Sequence, residues 1–215
     1  MIPLAKPQLG SDELKAIERV LKTGWIAQGP EVARFESEFA NYLSTSYASA
    51  VSSGTAALHL ALKAVGVKPG QEVITVSYSF IATANSIRYC GAIPVFVDVD
   101  SNTQNIDPNQ IESAISEKTA AILCVHQFGM PCDLSRIMAV AEKRKLPIIE
   151  DAACALGSEI KEQGTWRKIG SWGGDVACFS FHPRKILTTG EGGMVVTRSE
   201  EIYTKVRALR QHSLE

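Results

Sequence analysis

Apolar residues recur along this chain at two spacings, helical and strand-like, and the two alternate. "SDELKAIERVLKTG" (11–24) predicts an amphipathic helix with Ser11 as N-cap and Gly24 as stop. "PEVARFESEFANYL" (30–43) places Val32, Phe35, Phe39 and Leu43 on one face, with Pro30 at its start. A short strand, "ASAVSS" (48–53), runs into the apolar helix "GTAALHLALKAVG" (54–66). Strands at 72–76, 94–100, 120–126 and 146–151 then alternate with helices at 80–91, 107–117 and 133–145. Beyond 151 the rhythm changes. Residues 157–175 read as irregular, "VACFSF" (176–181) and "GMVVT" (193–197) as two strands, and 201–213 as a basic helix.

The strands are rich in Ile, Val and Ala and lack polar alternation, so both their faces are buried. The pattern predicts an α/β fold in three layers. Helices cover both faces of a mainly parallel sheet of the seven-stranded type. Ligands of such sheets sit beyond the carboxyl ends of the strands, so candidate chemistry is sought there.

Composition narrows the partners. The 215 residues suffice for one domain with a real core and a small appendage. A net charge of −1 gives no pull toward nucleic acid or a membrane surface. Apolar runs break before the length of about 18 residues that a membrane helix needs. "MIPLAKPQLGSDELK" lacks an apolar leader, so export is not expected. The five cysteines are odd in number and show no CxxC pair, which argues against a disulfide framework or a zinc site. Most lie in apolar runs as small buried residues, and a cytoplasmic setting is expected.

The strand ends carry the chemistry. "SSGT" puts Gly54 and Thr55 at a helix start, where free N–H groups and the dipole favour an anion; a plain N-cap is the alternative. "SYSF" offers Tyr78 and Phe80, either as stacking rings or as core. "LPIIED" ends in Glu150 and Asp151, and a carboxylate there needs a partner: a protonated ring nitrogen, a helix N-terminus or a surface cation. Lys185 follows Arg184 and precedes "TTGEGG". A neighbouring cation and desolvation would favour its neutral, imine-forming amine, and Gly190, Gly192 and Gly193 allow a tight return. An anion cup (Gly54, Thr55, Ser180), a ring stacker (Phe80), a ring-nitrogen partner (Asp151) and an imine lysine (Lys185) together match pyridoxal 5′-phosphate.

"GWIAQGPEVARFESEFA", "SSGTAALHLAL", "GAIPVFVDVD", "IIEDAACALGS" and "FSFHPRKILTTGEGGMVV" resemble the DegT/DnrJ/EryC1/StrS family of sugar-nucleotide aminotransferases. The resemblance implies an aspartate-aminotransferase-like large domain. It assigns Lys185 to the Schiff base and Asp151 to the pyridine nitrogen. Phe80 would stack on the ring, and Gly54, Thr55 and Ser180 would bind the phosphate. A lysine at 185 separates the chain from the dehydratase branch, which has histidine there. The implied enzyme is homodimeric and moves an amino group from an amino acid, glutamate by expectation, to a nucleotide-linked keto-sugar in polysaccharide biosynthesis. The "GWIAQGP" segment (24–30) is the candidate substrate-side loop.

Two departures from the family pattern stand out. Cys154 occupies a cofactor-side position where Gln or His is common, and a thiol is a weaker hydrogen-bond group. The resemblance also covers only an N-terminal arm with the first helix (1–30) and the cofactor domain (31–215), without the family's small C-terminal domain. A truncated, non-catalytic cofactor-binding or dimerisation module is therefore the alternative function. A nicotinamide dehydrogenase or a P-loop hydrolase lacks support, because neither G-x-G-x-x-G after the first strand nor G-x-x-x-x-G-K-[ST] occurs.

Overall fold

Seven strands form one sheet in the order β1–β9–β8–β5–β4–β2–β3 in the computed structural model, which describes residue 3 and residues 5–211. These are β1 (Tyr47–Val51), β2 (Glu72–Val76), β3 (Ile93–Val97), β4 (Thr119–Val125), β5 (Ile148–Asp151), β8 (Val176–Ser180) and β9 (Gly193–Thr197). A separate hairpin holds β6 (Glu159–Glu162) and β7 (Thr165–Lys168). Only β9 runs against its neighbours, β1 and β8. The pairs β8–β5, β5–β4, β4–β2 and β2–β3 are parallel. The carboxyl ends of the other six strands therefore share one edge of the sheet.

Helices α1 (Ser11–Thr23), α2 (Pro30–Leu43), α3 (Gly54–Ala64), α4 (Ala82–Tyr89), α5 (Pro108–Ala114), α6 (Leu134–Arg144) and α7 (Glu200–Arg210) accompany the sheet. α3 packs on β8 and β9 and touches α4 and α7. On the opposite face, Phe35 and Phe39 of α2 meet Phe181 and Phe179 with ring centroids 5.3 and 5.2 Å apart. α5 and α6 pack together on that second face, where Leu134 lies beside Gly173 near Glu150. β5 and β9 are buried throughout and β2 is buried from Val73 onward, as residues without polar alternation require, but β3 at the sheet edge departs from that expectation and exposes Ile93 and Phe96. Among the described residues no helix is long and apolar enough to cross a membrane.

Three local readings of the sequence change. Gly10, not Ser11, is the N-cap of α1, and its N–H donates to Glu13 Oε2 at 2.7 Å. A carboxylate at the third helical position meets that amide without a hydroxyl at the cap. Residues 157–175 are not irregular throughout. Gln163 and Gly164 both take positive φ, so a two-residue turn joins β6 to β7. The hairpin lies half-exposed and lacks a strong apolar alternation, which hides it from a hydrophobic pattern. The last helix starts at Glu200 and ends at Arg210; the expected residues 212–213 lie outside the described ones.

Candidate active site

The shared strand edge surrounds a cavity of about 390 Å³. Gly54, Thr55, Phe80, Asp151, Cys154, Ser180 and Lys185 all line it, whereas Tyr78 and the 24–30 segment do not. A flatter depression of about 500 Å³ between β3 and α5 is lined by residues such as Phe96, Asp98 and Gln110 and by neither a lysine nor a histidine.

The anion cup is built by close backbone approach. Ser53 caps α3, its side chain accepting from Ala56 N at 3.1 Å. The N–H groups of Gly54 and Thr55, at the first two helical positions, have no acceptor within the helix. A Cβ at Gly54 would lie 2.8 Å from Ser180 Cβ, and one at Gly193 would lie 2.5 Å from Ser53 O. Glycine at both positions lets the start of α3, the end of β8 and the start of β9 crowd together.

Asp151 is buried at the end of β5. Thr83 Oγ1 donates to its Oδ2 at 2.9 Å, and Ala153 N donates to its Oδ1 at 3.2 Å. Burial pushes its carboxyl above the usual range, while the Thr83 and Ala153 hydrogen bonds and the charge of Lys185 pull the other way. Among the described residues Asp151 makes no ion pair, so the surface-pair alternative for this carboxylate does not hold.

Lys185 sits in the loop between β8 and β9. That loop folds back on itself through Lys185 N to His182 O at 2.8 Å and Thr189 N to Phe181 O at 3.1 Å. The Lys185 ammonium donates to Cys154 Sγ at 3.0 Å. Phe80 is 77% exposed and Tyr78 is half exposed, so neither is a core residue in this chain. Phe128, held at φ 52°, is exposed as well, 6.3 Å from Tyr78 and outside the cavity lining.

Sequence reasoning missed Thr83, His126, Gln127, His182 and Glu191, which belong to the cavity or support it. His126 was within reach of the rule that found Asp151, since it follows β4 directly. Its Nε2 lies 2.9 Å from Glu150 Oε2 with both side chains buried, and Gly174 N donates to Glu150 Oε1 at 2.7 Å. Burial opposes a charged ring, whereas a Cys132 thiolate and Glu150 would lift it to about 10. The hydrogen bonds favour the neutral ring. Cys132 Sγ keeps its proton to donate to Val125 O at 3.0 Å, and His126 Nδ1 accepts Cys132 N at 3.0 Å, which needs a lone pair. The Nε2 proton is thereby assigned to the bond with Glu150.

A lysine amine, a buried carboxylate and a helix N-terminus converge at the carboxyl edge of a mainly parallel sheet covered on both faces, where α/β folds of this class hold their ligands. The profile of the DegT/DnrJ/EryC1/StrS aminotransferase family matches residues 7–215, and the chain belongs to that family. This family of aminotransferases uses pyridoxal 5′-phosphate. The chain is 46% identical over 213 residues to the spore coat polysaccharide biosynthesis protein SpsC of Bacillus subtilis (strain 168), covering 99% of this chain and 54% of that protein. Its fold matches S. venezuelae DesV, solved in complex with a ketimine intermediate, with a TM-score of 0.88 and 41% identity over 95% of this chain and 55% of that one. DesI, solved in the presence of its TDP-sugar product, matches with a TM-score of 0.91 and 33% identity, over 99% of this chain and 53% of that one. The chain thus spans about half the length of the relatives it matches.

Proposed function

We propose that this chain binds pyridoxal 5′-phosphate at the described cavity. We propose further that it serves an aminotransferase that moves an amino group from an amino acid, glutamate by expectation, to a nucleotide-linked keto-sugar. The observation that carries the reading is the convergence of Lys185, Asp151 and the N-terminus of α3 on one cavity. The TDP-sugar product named with DesI supports the substrate class.

The residues fit the cofactor by the chemistry of their donors. The free amides of Gly54 and Thr55 with the Ser180 hydroxyl suit a phosphate. Phe80 offers a ring face, and Lys185 offers an amine for the aldehyde carbon. Asp151, excluded from water, would hold a proton on the ring nitrogen through its charge. When bound, the cofactor supplies an electron-withdrawing ring that stabilises negative charge at the donor's Cα. Lys185 Nζ would be the amine to take and return the Cα proton. Cys154 Sγ accepts from that amine while it is free.

In this reading residues 1–30 act as an arm and 31–215 as the cofactor domain; α1 buries none of its side chains, which supports the division. Two copies are proposed to pair across the strand edge, where Phe80 and Phe128 are each 77% exposed and Ile186 is 81% exposed.

Borohydride reduction of the purified chain with added pyridoxal phosphate, followed by peptide mass spectrometry, tests the core of the reading. The expected adduct lies on Lys185 and is absent from Lys185→Ala. An adduct on another lysine, or none, overturns it. Conversion of glutamate to its keto acid by the same preparation then separates a working enzyme from a cofactor-binding module.

A further inference from the structure

We infer that Thr83 is a positioning residue for Asp151: its hydroxyl fixes the carboxylate's orientation and supports its charge before the ring nitrogen arrives. The inference rests on the assignment of Asp151 to that nitrogen.

Thr83 has one hydroxyl proton, and the geometry directs it to Asp151 Oδ2 at 2.9 Å. Ser79 Oγ lies 2.7 Å from Thr83 Oγ1, so Ser79 must be the donor in that second bond. The relay therefore has one direction, Ser79 to Thr83 to Asp151. A hydroxyl that accepts one bond while donating another is polarised toward the acceptor it serves. Thr83 and Asp151 are both buried, so water does not replace the bond if it is lost.

The other groups around Asp151 do not duplicate this role. Ala153 N holds the other oxygen at 3.2 Å. Lys185 from the β8–β9 loop acts through charge alone, and His126 after β4, neutral by its own hydrogen bonds, spends its side chain on Glu150 and Cys132. Cys178 on β8 lies close enough for Asp151 to disfavour its thiolate. Glu150, next in the chain, is turned to the other face, toward His126 and Gly174. Thr83 is thus the one side chain among the described residues that hydrogen-bonds to Asp151.

The fold places this pair by construction. Asp151 ends β5, and Thr83 lies in the first turn of α4, whose preceding loop carries Phe80 to the cavity. The segment that presents the ring stacker also clamps the ring-nitrogen partner.

The test uses the full chain without cofactor. The carboxyl of Asp151 is titrated by carbon-detected NMR in wild type, Thr83→Val, Thr83→Ala and Thr83→Ser. Removal of the hydroxyl moves the midpoint upward in both Val and Ala variants, and serine returns it toward wild type. A separate fluorescence titration with pyridoxal phosphate weakens about tenfold to a hundredfold in the Val and Ala variants, as loss of a hydrogen bond to a charged group implies, and recovers in the Ser variant. Two variants without the hydroxyl guard against one that fails to fold. An unmoved Asp151 midpoint in a folded Val or Ala variant overturns the inference, as does a Ser variant that titrates like Val. If wild type itself fails to bind the cofactor, the cofactor reading falls instead, and the apo titration still decides the role of Thr83.

Discussion

Cys154 Sγ accepts a hydrogen bond from Lys185 Nζ at 3.0 Å, which ties the chain's exposed cysteine to its candidate imine lysine. Cys90, Cys124, Cys132 and Cys178 are buried, so access alone separates Cys154 from them. Alkylation of the native chain is expected to give a single adduct, on Cys154, and saturating pyridoxal phosphate should slow it. Peptide mapping after brief labelling reads both effects. Prior labelling of a buried cysteine, or a rate indifferent to the cofactor, would show that this thiol does not share the cofactor's space.

Asp151→Asn should stabilise the empty chain and disable it. Burial raises the carboxyl above its ordinary value, so the folded chain binds this proton more tightly than the unfolded chain does. Wild-type stability from this group is complete below the unfolded value of 3.8 and is lost as pH rises through the raised folded value. Asparagine does not titrate. Its amide can donate to Thr83 Oγ1 while Thr83 turns its proton to Ser79, so the buried bonds survive in reversed order. Calorimetry should find the variant ahead of wild type at neutral pH, with the lead shrinking on acidification. Where the chain transaminates as proposed, that activity should fall about a hundredfold or more, on the scale of a lost electrostatic stabiliser. A variant less stable at every pH would contradict the account of Asp151 as a costly buried charge.

The chain announces this site unevenly. Asp151 and Lys185 were readable because each interrupts an otherwise apolar or glycine-rich stretch at a strand end, where an α/β sheet puts its ligand. The sheet itself followed from unbroken runs such as "EVITV" and "GMVVT", whose limits match β2 and β9. Thr83 gave no signal, because a threonine inside a helix is ordinary and its partner lies 68 residues away. The Glu150–His126 pair was hidden for the same reason: the two residues lie 24 positions apart, on different strands or just beyond them. The hairpin turn at Gln163 and Gly164 was obscured because its strands have no buried face to write a pattern.

Arg210 and Glu36 protect the open edge of the sheet. β1 has a neighbour on one side only, and Ala50 exposes its amide and carbonyl on the other. Glu36 accepts from Ala50 N at 2.8 Å, Arg210 donates to Ala50 O at 3.0 Å, and the two side chains bond each other. The pair stands where a further strand would bind and blocks edge-to-edge pairing. Its side chains are only 7% and 14% exposed, so removing one strands the other's charge. Arg210→Met should cost about 3 kcal/mol. In a chain of this size that lowers the thermal midpoint by roughly 6–12 °C. Light scattering should also show concentration-dependent association. A midpoint within a degree of wild type would reduce the pair to an ordinary surface contact.

Gly193 ties the returning strand to the anion cup, and one methyl group tests the connection. A Cβ at this position would sit 2.5 Å from Ser53 O and 2.8 Å from Gly54 N, both backbone atoms that cannot swing aside. Either β9 or the first turn of α3 must retreat. Gly193 pairs with Val51 and Ser180, so β9 is held from both sides and the helix start is the softer element. Gly193→Ala should therefore displace the Gly54 and Thr55 amides and weaken binding of pyridoxal phosphate. Pyridoxal, which lacks the phosphate, should be little affected, because Lys185 and Asp151 lie elsewhere on the cavity wall. Titrating both compounds into wild type and variant separates these outcomes. Equal losses for the two would mean that the substitution disturbs the cavity as a whole, and unchanged affinity for both would remove the phosphate from the start of α3.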